Sequence, residues 1–351
     1  MKDITVNSSI TIRQAMKALD KTSEKCLLVV DGNKKLLGTL TDGDLRRSIL
    51  KGANFNASTE GSYCPDPSVL MEDKFTKQEA SEIMISKNLD LLPILDKKDQ
   101  VVGYITWEQI FSEGRSPKKK TLTAPVAIMA GGKGTRMEPF TKVLPKPLVP
   151  IHEKPIIEHI IERFTDIGCS DFHMTVNYKS KILKAYFDEL QPDYQVYFVE
   201  EKEPLGTAGS LRFLDGKFNQ SFFVTNCDII IKADYVSLYE FHKRGDYDIT
   251  LVASAKEYVI PYGTCELNGD GHLAHINEKP KYDFLINTGL YVLKPEVLKL
   301  IPESKFYHIT HLIEDGKNQG KKVGVFPIDE DAWIDIGQWA EYKKIVKYFS
   351  L

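Results

Sequence analysis

The residues best suited to chemistry form a glycine-rich stretch directly after the apolar run VAIMA (126–130). The stretch reads GGKGTRMEPFTKVLPKP from Gly131 onward and carries a lysine, Lys146, between two prolines. Glycines let backbone N–H groups approach a phosphate, Arg136 offers a planar fork of donors, and Lys146 offers a compact charge. The Walker A spacing is absent, and Met137 stands where a dinucleotide fingerprint needs its third glycine. The stretch therefore predicts a phosphate-binding loop of another kind.

Two aspartates are candidates for a metal site. Asp228 follows the apolar run SFFVTN (221–226), and Asp335 lies in Trp-Ile-Asp-Ile-Gly near the end of the chain. Mg²⁺ is usually held by one or two carboxylates together with substrate phosphates, so the two aspartates together could hold it. Either one alone is more typical of a cap or a turn. The segment PLGTAG (204–209) suggests either close approach to a ligand or a helix start capped by Thr207.

The elements that must position these residues alternate between strand and helix patterns. Strands are predicted at VAIMA, DFHMTV, YQVYFVE, SFFVTN and DITLVAS, with helices at PIIEHIIERFTDIG, SKILKAYFDEL and ADYVSLYEFHKR between them. This alternation predicts an α/β fold, a doubly wound and mostly parallel nucleotide-binding sheet. Ligands bind at the carboxyl edge of such sheets, where the glycine loop and Asp228 would lie.

An internal repeat occupies the first 115 residues. CLLVVDGNKKLLGTLTDGDL (26–45) matches LLPILDKKDQVVGYITWEQI (91–110) at an offset of 65 positions, which indicates two copies of one strand-turn-strand-helix unit. We predict copies at 1–58 and 59–115, a polar linker at 116–123, and the larger domain at 124–351. These copies resemble CBS domains, and the pattern Gly-x-x-Thr-x-x-Asp stands in the first copy as Gly38, Thr41 and Asp44.

The CBS resemblance implies a possible adenine nucleotide site. By resemblance, Thr41 reaches phosphate or ribose and Asp44 accepts from ribose hydroxyls, with Thr106 as the counterpart in the second copy. The second copy has Gln109 where the pattern has aspartate, which puts a second site in doubt. A dimerisation module without a ligand is the equal alternative, and in either case CBS pairs commonly make homo-oligomers.

The larger domain, over nearly all of residues 122–351, resembles the sugar-phosphate nucleotidyltransferases. The resemblance implies that Mg²⁺ is held by Asp228 and Asp335 and that Arg136, Lys146 and Lys279 are catalytic. It also implies a nucleotide site formed by Ala130, Gly131, Gly132, Gly134, Thr135, Asn177, Gly206 and Thr207. The implied sugar site consists of Gly209, Glu278, Asn287 and Thr288.

A CBS pair ahead of this domain is similar to glucosamine-1-phosphate guanylyltransferases of bacterial legionaminic acid synthesis and to mannose-1-phosphate guanylyltransferases. The resemblance favours GTP and glucosamine 1-phosphate, giving GDP-glucosamine for nonulosonic acid or surface glycan synthesis. Mannose 1-phosphate is the alternative, as is another base: cytidylyl, thymidylyl or uridylyl transfer. A nucleotide-sensing regulatory subunit without catalysis is the rival outside enzymes, although Arg136, Lys146 and both aspartates are present.

Composition excludes several other classes. The net charge of −3 provides no basic field for nucleic acid or anionic lipid. Five cysteines without a C-x-x-C pair argue against a disulfide framework and a structural zinc site, and favour reduced thiols in the cytoplasm. The N-terminus lacks a signal-peptide pattern, and no apolar run approaches the roughly 18–20 residues of a membrane span.

Overall fold

The structure is a computed structural model that describes residues 2–22, 24–87, 89–111, 121–337, 339 and 341–343. Its contacts divide the chain into two compact units. Unit 1 comprises Met1–Lys119, Ala255–Leu285 and Pro327–Asp331, and unit 2 comprises Lys120–Ser254, Ile286–Phe326 and Ala332–Leu351. The predicted linker at 116–123 lies outside the described residues up to position 120. No helix of the described chain is both long and apolar enough to traverse a bilayer.

Unit 1 contains the two repeat copies, and each has the same five elements. The first copy consists of β1 (Thr5–Asn7), α1 (Ile12–Thr22), β2 (Cys26–Val30), β3 (Leu36–Thr41) and α2 (Asp42–Leu50). The second consists of β4 (Leu70–Met71), α3 (Lys77–Lys87), β5 (Leu91–Leu95), β6 (Val101–Thr106) and α4 (Trp107–Phe111). Every element of the second copy begins 65 positions after its counterpart, which confirms the predicted repeat.

The two copies also share their strand register. Cys26 pairs with Thr41 in the first copy and Leu91 pairs with Thr106 in the second, and both hairpins carry an irregularity near the same point. In α1, Ile12, Ala15, Met16 and Leu19 are buried. Their helical spacing places the apolar side chains of α1 on one face, which packs into the core of this copy.

The larger domain begins with β7 (Val126–Met129) and continues through the elements that cover and extend its sheet. They are α5 (Phe140–Val143), β8 (Pro150–Ile151), β9 (Lys154–Pro155), α6 (Ile156–Thr165), β10 (Asp171–Val176), α7 (Ser180–Leu190), β11 (Gln195–Glu200), β12 (Phe222–Asn226), β13 (Ile229–Ile231), α8 (Tyr235–Arg244), β14 (Ile249–Val259), β15 (Thr264–Leu267), β16 (Leu273–Asn277), β17 (Lys281–Leu293), α9 (Ile309–Asn318), β18 (Val323–Asp329) and β19 (Trp333–Asp335).

The central sheet has seven strands in the order β11-β10-β7-β12-β17-β14-β18. β11, β10, β7 and β12 run parallel to one another, and β17 runs antiparallel to β12. The fold is thus the predicted α/β architecture with a mostly parallel sheet. At its centre, Val126, Ala127 and Ile128 of β7 are fully buried, as expected for a strand covered on both faces.

Unit 1 also takes in residues 255–285, which lie within the span assigned to the larger domain by sequence. There β15 and β16 form a two-stranded antiparallel ribbon of their own. Cross-strand pairs Cys265–Ile276 and Leu267–Leu273 place apolar side chains on one face of this ribbon, because paired residues share a face. This ribbon was not predicted from the sequence.

Candidate active site

Asp228 and Asp335 are brought together by a short pair of strands. β13 and β19 run antiparallel, with Ile229 opposite Asp335. The backbone N–H of Ile336 donates to the carbonyl of Asp228 at 2.8 Å. Two aspartates far apart in the sequence therefore sit side by side at the end of β12, at the carboxyl edge of the parallel strands.

The glycine at position 337 marks the point where three charged groups meet. A Cβ placed on Gly337 would lie 2.4 Å from Asp228 Oδ2, 2.9 Å from Asp335 Oδ1 and 3.2 Å from Lys146 Nζ. Lys146 forms an ion pair with Asp228, and each residue is only 8% exposed. The N–H of Gly337 donates to Asp335 Oδ1 at 2.8 Å. The structure thus assembles one lysine and two carboxylates around a position that has room for glycine alone.

Local backbone structure holds Lys146 in place. Pro145-Lys146-Pro147 opens a single 3-10 turn over Lys146–Leu148, with Pro145 in the extended conformation. Gly134 has φ +67°, and a Cβ there would lie 3.1 Å from Lys146 Cβ. The Thr141 hydroxyl donates to the Gly134 carbonyl at 2.8 Å. The glycine loop therefore packs along the stem of Lys146 and directs its ammonium towards the aspartates.

Several other residues of the loop are open to solvent. Thr135 and Arg136 are exposed and begin the 3-10 turn Thr135–Met137, whose last residue is buried. A Cβ on Gly132 would meet nothing within 4 Å, so Gly132 faces open space. Ala130 is buried, and its N–H donates to the Thr175 carbonyl at 2.9 Å. In the part of the chain described, no ion pair or hydrogen bond engages the Arg136 guanidinium, which leaves its five donors for an anion.

A buried carboxylate that the sequence analysis missed lies beneath the loop. Glu201 is 7% exposed, and a Cβ on Gly131 would lie 2.5 Å from its Oε1. Its Oε2 accepts from the Leu205 N–H at 3.2 Å. The Asn177 amide donates to the Glu201 carbonyl at 2.8 Å, tying the ends of β10 and β11 together. Glu201 follows β11 as Asp228 follows β12, so the same rule of acidic residues at strand ends could have found it.

The glycines of PLGTAG have a packing role within the chain. A Cβ on Gly206 would lie 2.7 Å from the Tyr307 carbonyl oxygen, and one on Gly209 would lie 2.7 Å from that of Lys305. The Thr207 hydroxyl accepts from the Ile309 N–H at 3.0 Å, at the start of α9. The backbone of this segment therefore packs closely against residues 305–307, and Thr207 caps α9 rather than a helix of its own segment. The nucleotide and sugar contacts assigned to Gly206, Thr207 and Gly209 stay predictions.

Asn287 and Thr288, two predicted sugar contacts, are engaged within the sheet. Asn287 donates to the Tyr291 hydroxyl at 2.8 Å and accepts from the Gly289 N–H at 3.1 Å. Thr288 is 2% exposed, and its hydroxyl donates to the Val252 carbonyl at 2.9 Å. Burial and this bond give Thr288 a structural role, and its assignment as a sugar contact stays a prediction. Asn287 is half-buried.

Glu278 and Lys279 belong to unit 1, whereas the residues described above belong to unit 2. They connect β16 to β17. Lys279 has φ +46°, a conformation that non-glycine residues rarely adopt. Glu278 lies at the base of the ribbon, where a Cβ on Gly263 would lie 3.1 Å from its Oε2.

The predicted CBS ligand residues form helix caps. Thr41 caps α2: its hydroxyl accepts from the Asp44 N–H at 3.2 Å, and Asp44 Oδ2 accepts from the Thr41 N–H at 2.8 Å. Thr106 and Gln109 repeat this arrangement in the second copy. The Thr106 N–H donates to Gln109 Oε1 at 2.9 Å, and the Thr106 hydroxyl accepts from the Gln109 N–H at 3.4 Å. Replacing aspartate by glutamine thus preserves the cap while removing the charge.

Cysteine chemistry contributes nothing at this edge of the sheet. Burial raises the pKa of the Cys227 thiol to about 12, so the thiolate that a nucleophile requires is not formed near neutral pH.

Within the described residues, no cluster of three or more His, Cys, Asp or Glu side chains could hold a metal ion. A cation at Asp228 and Asp335 would therefore need further ligands from substrate or water.

Known proteins similar to this chain include curated sequences and solved structures. The chain is 35% identical over 221 residues to mannose-1-phosphate guanyltransferase 2 of Candida glabrata, and 38% identical over 225 residues to mannose-1-phosphate guanyltransferase of Aspergillus fumigatus. Each match covers 60% of this chain and 60% of the relative. The chain thus spans about three-fifths of the length of these curated relatives.

A solved structure of HddC from Yersinia pseudotuberculosis complexed with GMP-PN superposes with a TM-score of 0.50 at 27% identity. It covers 64% of this chain and 99% of that one. The family model described as "Nucleotidyl transferase" matches residues 126–349, and the model described as "CBS domain" matches residues 1–51 and 69–115. The chain therefore belongs to the nucleotidyl transferase family and carries two CBS domains ahead of the transferase domain.

Proposed function

We propose that this protein transfers a guanylyl group from GTP to a sugar 1-phosphate and releases pyrophosphate. The observation that carries the proposal is the meeting of Lys146, Asp228 and Asp335 around Gly337, beside a glycine loop at the carboxyl edge of the sheet. The arrangement offers both signs of charge: carboxylates for a cation, and a lysine for phosphate. A site for a nucleoside triphosphate and its metal needs both.

The proposed reaction needs no strong general base. An oxygen of the sugar phosphate, already an anion, attacks the α-phosphorus of GTP, and the bond from that phosphorus to the β-phosphate oxygen breaks. Catalysis then rests on positioning and on offsetting charge as pyrophosphate departs. Lys146, fixed by its prolines and by Gly134, stabilises the α-phosphate, and the exposed Arg136 binds the departing phosphates. Lys279 orients the attacking phosphate.

Asp228 and Asp335 fit a hard divalent cation, and we propose Mg²⁺. Their oxygens converge within 3 Å of one point, and oxygen ligands from one or two carboxylates are what Mg²⁺ prefers. When bound, the cation supplies positive charge to the phosphate oxygens. Omission of Mg²⁺ or addition of excess EDTA is expected to abolish turnover.

Glu201 supports guanine as the base. Guanine presents adjacent N1–H and N2–H₂ donors, and an ionised carboxylate accepts two parallel hydrogen bonds. Uracil and thymine present a single N–H between two carbonyl acceptors, which a buried carboxylate would repel. Glu201 lies next to Gly131 of the glycine loop, and we propose that a base bound at this loop contacts its carboxylate. The names of the curated relatives and the GMP-PN complex of HddC point to the same base.

For the sugar, the comparisons support mannose 1-phosphate better than glucosamine 1-phosphate. The curated relatives are mannose-1-phosphate guanyltransferases, whereas the glucosamine reading rests on the domain arrangement alone. We therefore propose mannose 1-phosphate as the substrate to test first and glucosamine 1-phosphate as the second.

An adenine nucleotide at Thr41 and Asp44 stays a prediction, since both side chains are already paired in a helix cap.

The experiment is a pyrophosphate-release panel with Mg²⁺, crossing GTP, ATP, CTP, UTP and dTTP with mannose, glucosamine and glucose 1-phosphates. Release with GTP and mannose 1-phosphate is the expected result. A variant, Glu201→Gln, is expected to lower kcat/KM for GTP at least tenfold relative to UTP, because a neutral amide offers guanine one acceptor. Preference for another base in the wild type would overturn the guanine assignment, and no release in any combination would overturn the proposed activity.

A further inference from the structure

Asp283, on β17 of unit 1, is held by two residues of the first CBS domain. Its carboxylate forms an ion pair with Arg13 of α1, and its other oxygen accepts from the Asn56 amide at 3.0 Å. Asp283 lies four residues after Lys279. We infer that Arg13, Asn56 and Asp283 are positioning residues through which the CBS domain fixes the sugar-phosphate segment. The inference rests on the proposed role of Lys279.

The CBS domain presents these two donors in a preformed arrangement. The Arg13 guanidinium lies over the Phe55 ring, 5.3 Å from its centroid. The Arg13 N–H donates to the Phe55 carbonyl at 2.9 Å, and the Ile12 N–H donates to the Ala57 carbonyl at 2.9 Å. Asn56 is fixed in turn by a bond from its N–H to Asn54 Oδ1 at 2.8 Å. Since α1 and residues 54–57 are locked together, Arg13 and Asn56 act on Asp283 as one unit.

The Arg13–Asp283 ion pair is more buried than ordinary surface ion pairs. The Arg13 and Asp283 side chains are 12% and 13% exposed, against 84% and 65% for the Lys97–Asp73 pair on the same unit. Exposed pairs contribute little, whereas removing one partner of a buried pair leaves an uncompensated charge. Arg13 Nε is also buried without a hydrogen-bond partner. The pair is thus costly to build, and it fixes geometry more than it adds stability.

The start of β17 depends on this attachment. On one side, the Ile260 N–H donates to the Pro280 carbonyl at 3.1 Å and Lys281 pairs with Glu257 at 3.3 Å. The residues flanking Asp283, Tyr282 and Phe284, are 41% and 51% exposed. Lys279, immediately before the strand, adopts a strained φ that the surrounding structure must maintain. Release of Asp283 would let this segment relax and would move Lys279.

The first CBS domain also interacts with one residue each of strands β14 and β18. Ala255 of β14 is part of the hydrophobic core of the first CBS domain, together with Ile12 and Leu28. Asp329 of β18 is buried, and burial raises its pKa, a rise that the charge of Lys17 of α1 partly opposes. Ala255, Asp283 and Asp329, one residue from each of three strands, therefore belong to the same compact unit as Arg13 and Asn56.

The test uses the full chain with Asp283→Asn, Arg13→Gln and the double variant. Asp283→Asn keeps the size and an acceptor for Asn56, so folding should survive. We expect KM for the sugar 1-phosphate to rise about tenfold in each single variant, with KM for GTP within twofold of wild type. The effects should not add in the double variant, because both remove one interaction. Arg13→Lys, which keeps the charge, should restore part of the loss.

The matched control is Arg212→Gln, which breaks the half-buried Arg212–Asp215 pair of unit 2 and should leave both KM values unchanged. Equal rises of KM for both substrates, or fully additive effects, would overturn the inference. Hydrogen exchange of residues 278–287 supplies a readout independent of turnover and should accelerate in Asp283→Asn. Unchanged hydrogen exchange in Asp283→Asn would overturn the inference, whether or not the wild type is active. An inactive wild type would refute the proposed function, which is a separate result.

Discussion

The substitution Gly337→Ala tests the site at the point where its charges meet. The added methyl would lie 2.4 Å from Asp228 Oδ2 and 2.9 Å from Asp335 Oδ1, although carbon and oxygen atoms in contact need more than 3 Å. At least one carboxylate must therefore move by about 1 Å. Displacements of this size in a preorganised site can cost about 100-fold in rate, equivalent to about 2.7 kcal/mol of transition-state stabilisation.

Folding should be much less affected than turnover. The atoms that must move are the ends of side chains, and the φ of Gly337 is not among the positive values that restrict substitution. We expect kcat/KM for pyrophosphate release to fall about 100-fold while the thermal midpoint changes by only a few degrees. Gly32→Ala, at a position where a Cβ meets nothing within 4 Å, is the control. Activity of Gly337→Ala within threefold of wild type would refute the assigned geometry.

Three further changes probe separate parts of the account. Asp335→Asn should raise the Mg²⁺ concentration for half-maximal activity at least tenfold, because an amide is a weaker ligand; an unchanged Mg²⁺ titration would remove Asp335 from the metal site. Thr207→Val should destabilise the protein by about 1 kcal/mol in denaturant unfolding, through loss of the α9 cap; a raised KM for GTP without loss of stability would contradict this and would support the predicted nucleotide contact of Thr207. Burial lowers the pKa of His242 to about 4, so the unfolded chain takes up a proton that the folded chain excludes. Stability should therefore be complete above about pH 6.5 and decline towards pH 4, and His242→Gln should flatten that decline, whereas identical pH profiles for the two proteins would contradict it.

The predictable parts of this fold were those encoded by local pattern. The CBS repeat could be predicted because apolar runs and turn residues recur at one offset, and the helix Ser180–Leu190 matches its sequence pattern residue for residue. Asp228 and the glycine loop could be placed at the carboxyl edge because parallel strands end together there. Each of these inferences needs only neighbouring residues and a general rule of α/β sheets.

The parts that escaped prediction depend on contacts between distant segments. Nothing local indicates that Ile229 faces Asp335 across an antiparallel pair, or that Gly206 is a glycine because of Tyr307. Thr288 lies in a motif that suggests a polar contact with a ligand, whereas its hydroxyl donates to the Val252 carbonyl of the neighbouring strand β14. The Arg13–Asp283 pair likewise joins positions that no pattern in the sequence connects.

The most direct test of the central claim is product analysis after incubation of the protein with GTP, mannose 1-phosphate and Mg²⁺. Mass spectrometry should detect a GDP-sugar formed in a one-to-one ratio with pyrophosphate, and neither product should form with Lys146→Ala at more than about one hundredth of the wild-type rate. Formation of GDP and inorganic phosphate, or an equal rate with Lys146→Ala, would contradict guanylyl transfer at this site.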